Sequence, residues 1–169
     1  TETKADIRLA KVIAKAAEVA GYRNEATGDR AMGFACSTDV NTPCAHVAEV
    51  SIVDGEIKVH KVTCVMDPGL VINPDQVRAQ CEGSIIMGMS AVLYEKMNVK
   101  NNALYPVIYG AYEMALMKDA PKEINVVLLE NSDYPGGVGE PPLGPIGAAI
   151  ANAVYRLTGK RVRRIPLRA

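Results

Sequence analysis

The chain has 169 residues, of which 49% are hydrophobic and 22% are charged, as in globular rather than disordered proteins. Nineteen basic residues offset nineteen acidic ones, so the overall charge gives no indication of a nucleic-acid partner. No apolar run reaches the roughly 18 residues of a membrane span, and no secretory signal is recognisable. Because the chain begins at Thr1 without a methionine, we expect a fragment or a processed product, and we assign it no compartment.

The first predicted element is an amphipathic helix. Apolar residues recur at helical spacing from Ala5 to Ala20, and Gly21 is a typical stop signal. The polar residues 22–30 predict a loop. We therefore interpret residues 1–21 as an N-terminal helix, a remnant of a severed upstream region, and residues 30–169 as the main structural unit.

Three strands are predicted next, because the hydrophobic period changes from helical spacing to two. They cover Ala31–Ser37, Ala45–Val53 and Glu56–Met66. Asp54-Gly55 lies between the last two and is a strong signal for a two-residue hairpin turn. This part of the chain is thus expected to form an antiparallel sheet.

A second helix is predicted from Asn73 to about Tyr94. Asn73 can cap its N-terminus, Pro74 suits the first helical position, and Gln76 can complete a capping box. The segment Gly83–Ser90 is small and apolar almost all round, which predicts a buried helix with close packing at its glycines.

The last third of the chain adds shorter elements and one more helix. Asn101-Asn102 predicts a turn, and the β-branched run Ile124–Leu129 predicts a strand. Pro145 opens a helix with apolar residues at helical spacing, and Gly159 ends it. The predicted fold class is α+β, with a mainly antiparallel sheet packed against a long buried helix and a C-terminal helix.

The most informative segment for function is the loop Pro135–Pro145, which holds four glycines and four prolines. Glycines allow close approach of the backbone to a ligand, and the prolines after Glu140 stiffen the loop. A carboxylate held in a fixed direction suits a general base. The alternative is a tight connection whose glutamate is stabilised by the dipole of the following helix.

Two further sets of residues are weaker candidates for a site. Gln80 offers an amide that can both donate and accept hydrogen bonds. Four potential zinc ligands, Cys44, His46, His60 and Cys64, lie on the two predicted hairpin strands. Their spacing differs from that of zinc fingers, and the four cysteines of the chain are expected to be reduced and buried. We therefore assign no metal ligand to this chain.

Three ordered motifs resemble one known family. They are VMDPGLVINP at residues 65–74, RAQCEGSIIMGMSA at 78–91 and GVGEPP at 137–142, supported by IANAVYRLTGKR at 150–161. Together they resemble the C-terminal end of the molybdenum-binding subunit in the xanthine dehydrogenase/aldehyde oxidase family. Within that family the likeness is strongest to the large subunits of isoquinoline 1-oxidoreductases.

This resemblance implies that the chain is part of a larger molybdopterin-binding domain. The implied cofactor is molybdopterin with molybdenum, in the cytosine dinucleotide form, and the implied substrate is an aldehyde or an aromatic N-heterocycle that is hydroxylated with water as oxygen source. It gives Glu140 the role of general base. It places Gln80 beside the pterin, and Gly137, Val138 and Gly139 beside the metal site.

The same resemblance implies partners that this chain does not contain. They are the upstream part of the same subunit and an iron–sulfur subunit that carries electrons away. The isolated fragment is expected to lack the cofactor, to be inactive and to expose an apolar face that favours self-association. The alternative function is a non-catalytic assembly module of the same fold without a cofactor.

Overall fold

A computed structural model describes residues 3–169. In chain order the helices and strands are α1 (Lys4–Ala20), β1 (Arg30–Asp39), β2 (Thr42–Val53), β3 (Glu56–Gly69), α2 (Pro74–Leu93), β4 (Asn98–Lys100), β5 (Ala103–Tyr105), β6 (Glu123–Glu130) and α3 (Gly144–Thr158). The α+β fold class and the order of its main elements are as the sequence predicts. No helix in the described part of the chain is both long and apolar enough to cross a membrane.

The main sheet has four strands in the order β1-β2-β3-β6. The first three are antiparallel neighbours, and the predicted Asp54-Gly55 turn joins β2 to β3 with both residues at positive φ. Strand β6 adds to the sheet parallel to β3. The sequence predicts this strand but gives no sign of its direction, because its partner lies about 60 residues away along the chain.

The sheet is covered on both faces. Helix α1 packs on one face through Val12 and Ala16, against Val47 and Val65. Helices α2 and α3 share the other face and form the larger core with the opposite side chains of β2 and β3. Helix α1 is thus a layer of this fold, and its origin in a severed upstream region remains a prediction.

A buried ion pair fixes α1 to the sheet. Arg8 donates two hydrogen bonds of 3.0 Å to the carboxylate of Asp67 and a third to the Asn41 carbonyl. Asp67 also accepts hydrogen bonds from the Asn131 side chain and the Gly69 backbone. Because both charges are buried, each depends on its partner for the hydrogen bonds that water would otherwise supply.

Two sequence expectations for α2 are only partly met. The Asn73 side chain caps the helix by accepting a hydrogen bond of 3.2 Å from the backbone amide of Gln76. Within residues 3–169, however, the Gln76 side chain makes no return hydrogen bond to Asn73, so the capping box is incomplete. Buried residues such as Ile85 and Met89 alternate with exposed ones, and Met87 is 63% exposed. The helix is therefore not buried all round by this chain alone.

Candidate functional site

The glycine-rich loop 135–143 packs between the β1–β2 turn and α2. The Gly136 amide donates a hydrogen bond of 2.8 Å to the Pro68 carbonyl, and the Gly137 amide donates one of 2.9 Å to the Val40 carbonyl. A Cβ atom at Gly136 would collide with the Thr42 hydroxyl, and one at Gly137 would lie 2.7 Å from the Val40 Cβ. These two glycines are therefore needed for packing, whatever else they contact.

The β1–β2 turn that supports this loop is strained. Val40 has φ +43°, in the left-handed region that β-branched residues avoid. Its carbonyl holds Gly137, and its side chain closes over the same glycine. Such conformations persist only when the surrounding structure enforces them, and they are enriched at functional sites. The sequence gives little indication of this turn, because valine is a poor turn residue.

The second half of the loop is anchored to α2 before Glu140 and is closed by a turn of its own backbone after Glu140. Ser84 donates a hydrogen bond of 2.5 Å to the Gly139 carbonyl. The backbone amide of Leu143 donates a hydrogen bond of 2.8 Å to the Glu140 carbonyl. Pro141 and Pro142, which follow Glu140, are buried. The main chain of Glu140 is thus fixed, whereas its side chain is exposed.

Gln80 lies next to this loop. A Cβ atom added to Gly139 would be 3.3 Å from the Gln80 amide nitrogen. Gln80 and Val138 also line an open cleft of about 260 Å³ between the N-terminal half of α2 and the loop. Its other walls are Pro68, Leu70, Val71, Ile72, Asn73, Gln76, Val77, Pro135 and Gly136. The loop therefore lies along the first half of α2, with Gln80, Gly136 and Val138 in the walls of the cleft and Glu140 outside them.

A larger open depression of about 820 Å³ lies elsewhere, between the β2–β3 turn and residues 110–119. Tyr94, Glu113 and Asp119 are among its walls. None of the site residues proposed from the sequence lines it. Its size alone therefore does not make it the better candidate.

The hypothetical zinc ligands separate into two places, so the four-residue set is wrong. Cys44, His46 and Cys64 form one fully buried cluster, whereas His60 contacts Ser51 at 2.7 Å on a partly exposed stretch of β3. The two-residue turn fixes the register, pairing Cys64 with His46. His60 precedes Cys64 on β3 by four residues, which is roughly 13 Å at the usual rise per residue of a strand.

The protonation of the buried cluster follows from its surroundings. Burial lowers the pKa of His46 to about 3, so the ring is neutral at physiological pH. A hydrogen bond with Cys44, together with burial, raises the pKa of Cys64. Contact with Cys64, together with burial, raises the pKa of Cys81 on α2. Without a metal, His46, Cys64 and Cys81 are therefore uncharged.

Comparison with known proteins decides the family. Residues 3–121 match the model of the molybdopterin cofactor-binding domain. This chain belongs to that family. The molybdopterin-binding domain is 37% identical over 95% of its length to the isoquinoline 1-oxidoreductase subunit beta of Brevundimonas diminuta, and covers 21% of that protein. It is 36% identical over 75% of its length to the aldehyde oxidoreductase molybdenum-binding subunit of Escherichia coli, and covers 19% of it.

Solved structures agree with this assignment. The aldehyde oxidoreductase of Desulfovibrio gigas superimposes with a TM-score of 0.64 and 28% identity, over 74% of this chain and 14% of that one. Quinoline 2-oxidoreductase from Pseudomonas putida 86 gives the same TM-score at 25% identity, over 70% of this chain and 16% of that one. The molybdopterin-binding domain thus spans about a fifth or less of the relatives it matches.

Two residues of the site were not found from the sequence. Ser84 holds the carbonyl next to Glu140, and Val40 holds Gly137. The motif at residues 78–91 includes Ser84, but a serine in a helix indicates no particular partner. The contact depends on a residue 55 positions further along the chain.

Proposed function

We propose that this domain supplies the general base and one wall of the cofactor pocket to a molybdenum hydroxylase. The enzyme would oxidise an aldehyde or an aromatic N-heterocycle with oxygen from water. The observation that carries the proposal is the fixed backbone on both sides of Glu140: Ser84 of α2 holds the Gly139 carbonyl, and a turn that ends at Leu143 holds the Glu140 carbonyl. Its main chain is fixed while its carboxylate stays exposed, as the proposed role requires.

The residues around the loop are compatible with the proposed cofactor. The cleft beside Gln80 has mainly apolar side walls, and the carboxamide of Gln80 lies exposed at its edge. A carboxamide can pair with the donors and acceptors at the edge of a pterin ring. Gln80 and Val138, which line the cleft, and the adjoining Gly137 and Gly139 would border the cofactor, in the proposed form of molybdopterin cytosine dinucleotide. When bound, that cofactor supplies the molybdenum redox chemistry that amino-acid side chains lack.

The contribution of this chain to the reaction is proton transfer and orientation. Glu140 would accept a proton on a carboxylate oxygen from the water-derived nucleophile. A base is effective only within hydrogen-bond reach of that proton and in the right direction. The fixed carbonyls of Gly139 and Glu140 and the buried prolines limit the directions open to the side chain. Gln80 would orient the cofactor through its amide.

The remaining parts of the enzyme would come from elsewhere. The upstream part of the same subunit would complete the cofactor and substrate pocket, and an iron–sulfur subunit would receive the electrons. This domain by itself would hold no cofactor and would be inactive. The names of the relatives include both aldehyde and N-heterocycle oxidoreductases, which supports the substrate class but selects no single compound.

The test is the variant Glu140→Gln in the full-length subunit with its partners. Turnover should fall by about 10²–10⁴-fold, since a positioned general base contributes that much. Molybdenum and pterin content should stay at the level of the unsubstituted enzyme, because the amide keeps the shape of the side chain. Single-turnover reduction by substrate is the direct measurement.

Glu25→Gln is the matched control, because Glu25 is an exposed glutamate in the loop after α1. It should leave turnover unchanged. If Glu140→Gln retains activity within a few-fold of the unsubstituted enzyme, Glu140 is not the base. A full-length protein that binds no pterin at all would instead favour the non-catalytic module.

A further inference from the structure

The buried cluster of thiols and imidazole beneath α2 has no part in the proposed proton transfer. Cys44 and His46 are on β2, and Cys64 is opposite His46 on β3. Cys81 on α2 packs in the same buried core, but its sulfur is outside the group of three ligand atoms that lie within 4.8 Å of one another. All four residues are 0% exposed. Two neighbouring strands therefore bring three soft or borderline ligand atoms to one point, and α2 places a further thiol in the same core.

The distances in this cluster match those of a tetrahedral metal site. The Cys44 and Cys64 sulfurs are 3.8 Å apart, and the Cys44 sulfur is 3.6 Å from His46 Nε2. Around a tetrahedral Zn²⁺, bond lengths of about 2.3 Å to sulfur and 2.05 Å to nitrogen give edges of about 3.8 and 3.5 Å. The three ligand atoms all lie within 4.8 Å of one another.

The imidazole provides a second, independent indication. His46 is completely buried, and its Nδ1 has no hydrogen-bond partner within the described residues. Its Nε2 contacts only the Cys44 sulfur, which is a weak hydrogen-bonding group. Burying a polar ring with so little compensation is costly. A metal bond at Nε2, the nitrogen that faces the thiols, would offset the part of that cost that falls on Nε2, while Nδ1 would keep no partner among the described residues.

We propose that Cys44, His46 and Cys64 bind a structural Zn²⁺, and that a rotation of the Cys81 side chain supplies the fourth ligand and ties β2 and β3 to α2. This set replaces His60 of the sequence hypothesis with Cys81, and it departs from our expectation that the chain holds no metal ligand. Four protein ligands leave no open position, which is typical of structural rather than catalytic zinc. The site would fix the helix that carries Gln80.

The burial of the site determines how the metal enters. With all four ligands inaccessible in the folded protein, the ion is captured before α2 closes over the sheet. Binding also displaces the protons of the coordinating thiols, since thiolates are the ligands. A chelator should accordingly leave the zinc in place under native conditions and remove it only when denaturant is present.

The experiment uses the purified full-length subunit with its partners, produced with Zn²⁺ in the medium. Elemental analysis should find about one zinc per chain. X-ray absorption at the zinc edge should show sulfur and nitrogen neighbours at roughly 2.3 and 2.0 Å. This measurement needs no variant, so it remains decisive if a substitution prevents folding. Absence of zinc, or only oxygen and nitrogen neighbours, would overturn the proposal.

The variants Cys44→Ala and Cys64→Ala should each lose the zinc and lower the melting temperature. Cys36→Ala is the matched control, because Cys36 is an exposed free cysteine on β1 outside the cluster. Zinc retained in a Cys44→Ala, Cys64→Ala double variant would place the ion elsewhere and refute the site. Glu140→Gln should keep its zinc, so this test is independent of the proposed catalytic base.

Discussion

The Ser84 hydroxyl affects Glu140 without contacting it. Its hydrogen bond of 2.5 Å ends on the carbonyl of Gly139, the residue before the proposed base. Without that bond the carbonyl would lose its partner on α2, and the loop could rotate about its glycines. If Glu140 is the base, as we propose, Ser84 is a positioning residue that acts on the reaction through the direction of Glu140.

We predict that Ser84→Ala lowers kcat about five-fold, the equivalent of one neutral hydrogen bond of about 1 kcal/mol. KM and molybdenum content should change little, because the cleft walls are untouched. Ser84→Thr keeps the hydroxyl and should restore kcat, which a purely structural role of the side chain would not require. Steady-state kinetics should be compared for the unsubstituted full-length enzyme, Ser84→Ala and Ser84→Thr. Equal kcat values in all three proteins would contradict the prediction.

Helix α2 has two different sides, each matched to its own surroundings. At Gly88 a Cβ atom would lie 2.6 Å from the Ile146 Cγ2 and 3.1 Å from the Leu143 carbonyl, so α3 and the end of the glycine-rich loop pack directly against the helix. At Gly83 a Cβ atom would have no neighbour within 4 Å. Gly88 is therefore tightly packed, whereas Gly83 has free space beside it.

We predict opposite effects for alanine at these two positions. Gly88→Ala should lower the free energy of unfolding by about 1–3 kcal/mol, since the rigid Ile146 side chain and a backbone carbonyl must move. Gly83→Ala should raise it by up to about 1 kcal/mol through helix propensity. Urea denaturation of the isolated domain compares them directly. Similar stabilities for the two variants would show that the packing against α3 is loose.

The molecule as a whole exposes more surface than its mass requires. Its accessible surface is 9901 Å² for 18.1 kDa, whereas the scaling for compact monomers gives roughly 8,100 Å². Much of the exposed apolar surface comes from the region after α2, where Val99, Val107 and Ile108 are each at least two-thirds exposed. Met87 adds to it on α2 itself. Such a surface is typical of a face that another part of a protein covers.

We predict that the isolated domain self-associates at micromolar concentration, because this apolar face has no cover of its own. Light scattering coupled to size exclusion should give a mass above 18.1 kDa. Val107→Lys with Ile108→Lys should shift the mass toward the monomer, whereas lysines at Glu25 and Asp29, in the exposed loop after α1, should not. A monomer at all concentrations would contradict the prediction.

Local signals in the sequence were enough for most of the elements. The Asp54-Gly55 turn, the Asn73 cap and the glycine stops at Gly21 and Gly159 act within a few residues, so their effects can be read without the rest of the fold. The motifs around Gln80 and Glu140 likewise identified the family. These features depend on backbone conformation and short-range hydrogen bonds.

Tertiary structure alone decided which distant residues meet. The hydrogen bond from Ser84 to Gly139, the strained support of Gly137 by Val40 and the parallel pairing of β6 join segments far apart in the chain. The register of one hairpin separated His60 from Cys44 and Cys64, and the packing of α2 placed Cys81 in the same buried core as these two cysteines. Side-chain types reveal what chemistry is available, but only the closure of long loops around a common core determines which groups share a site.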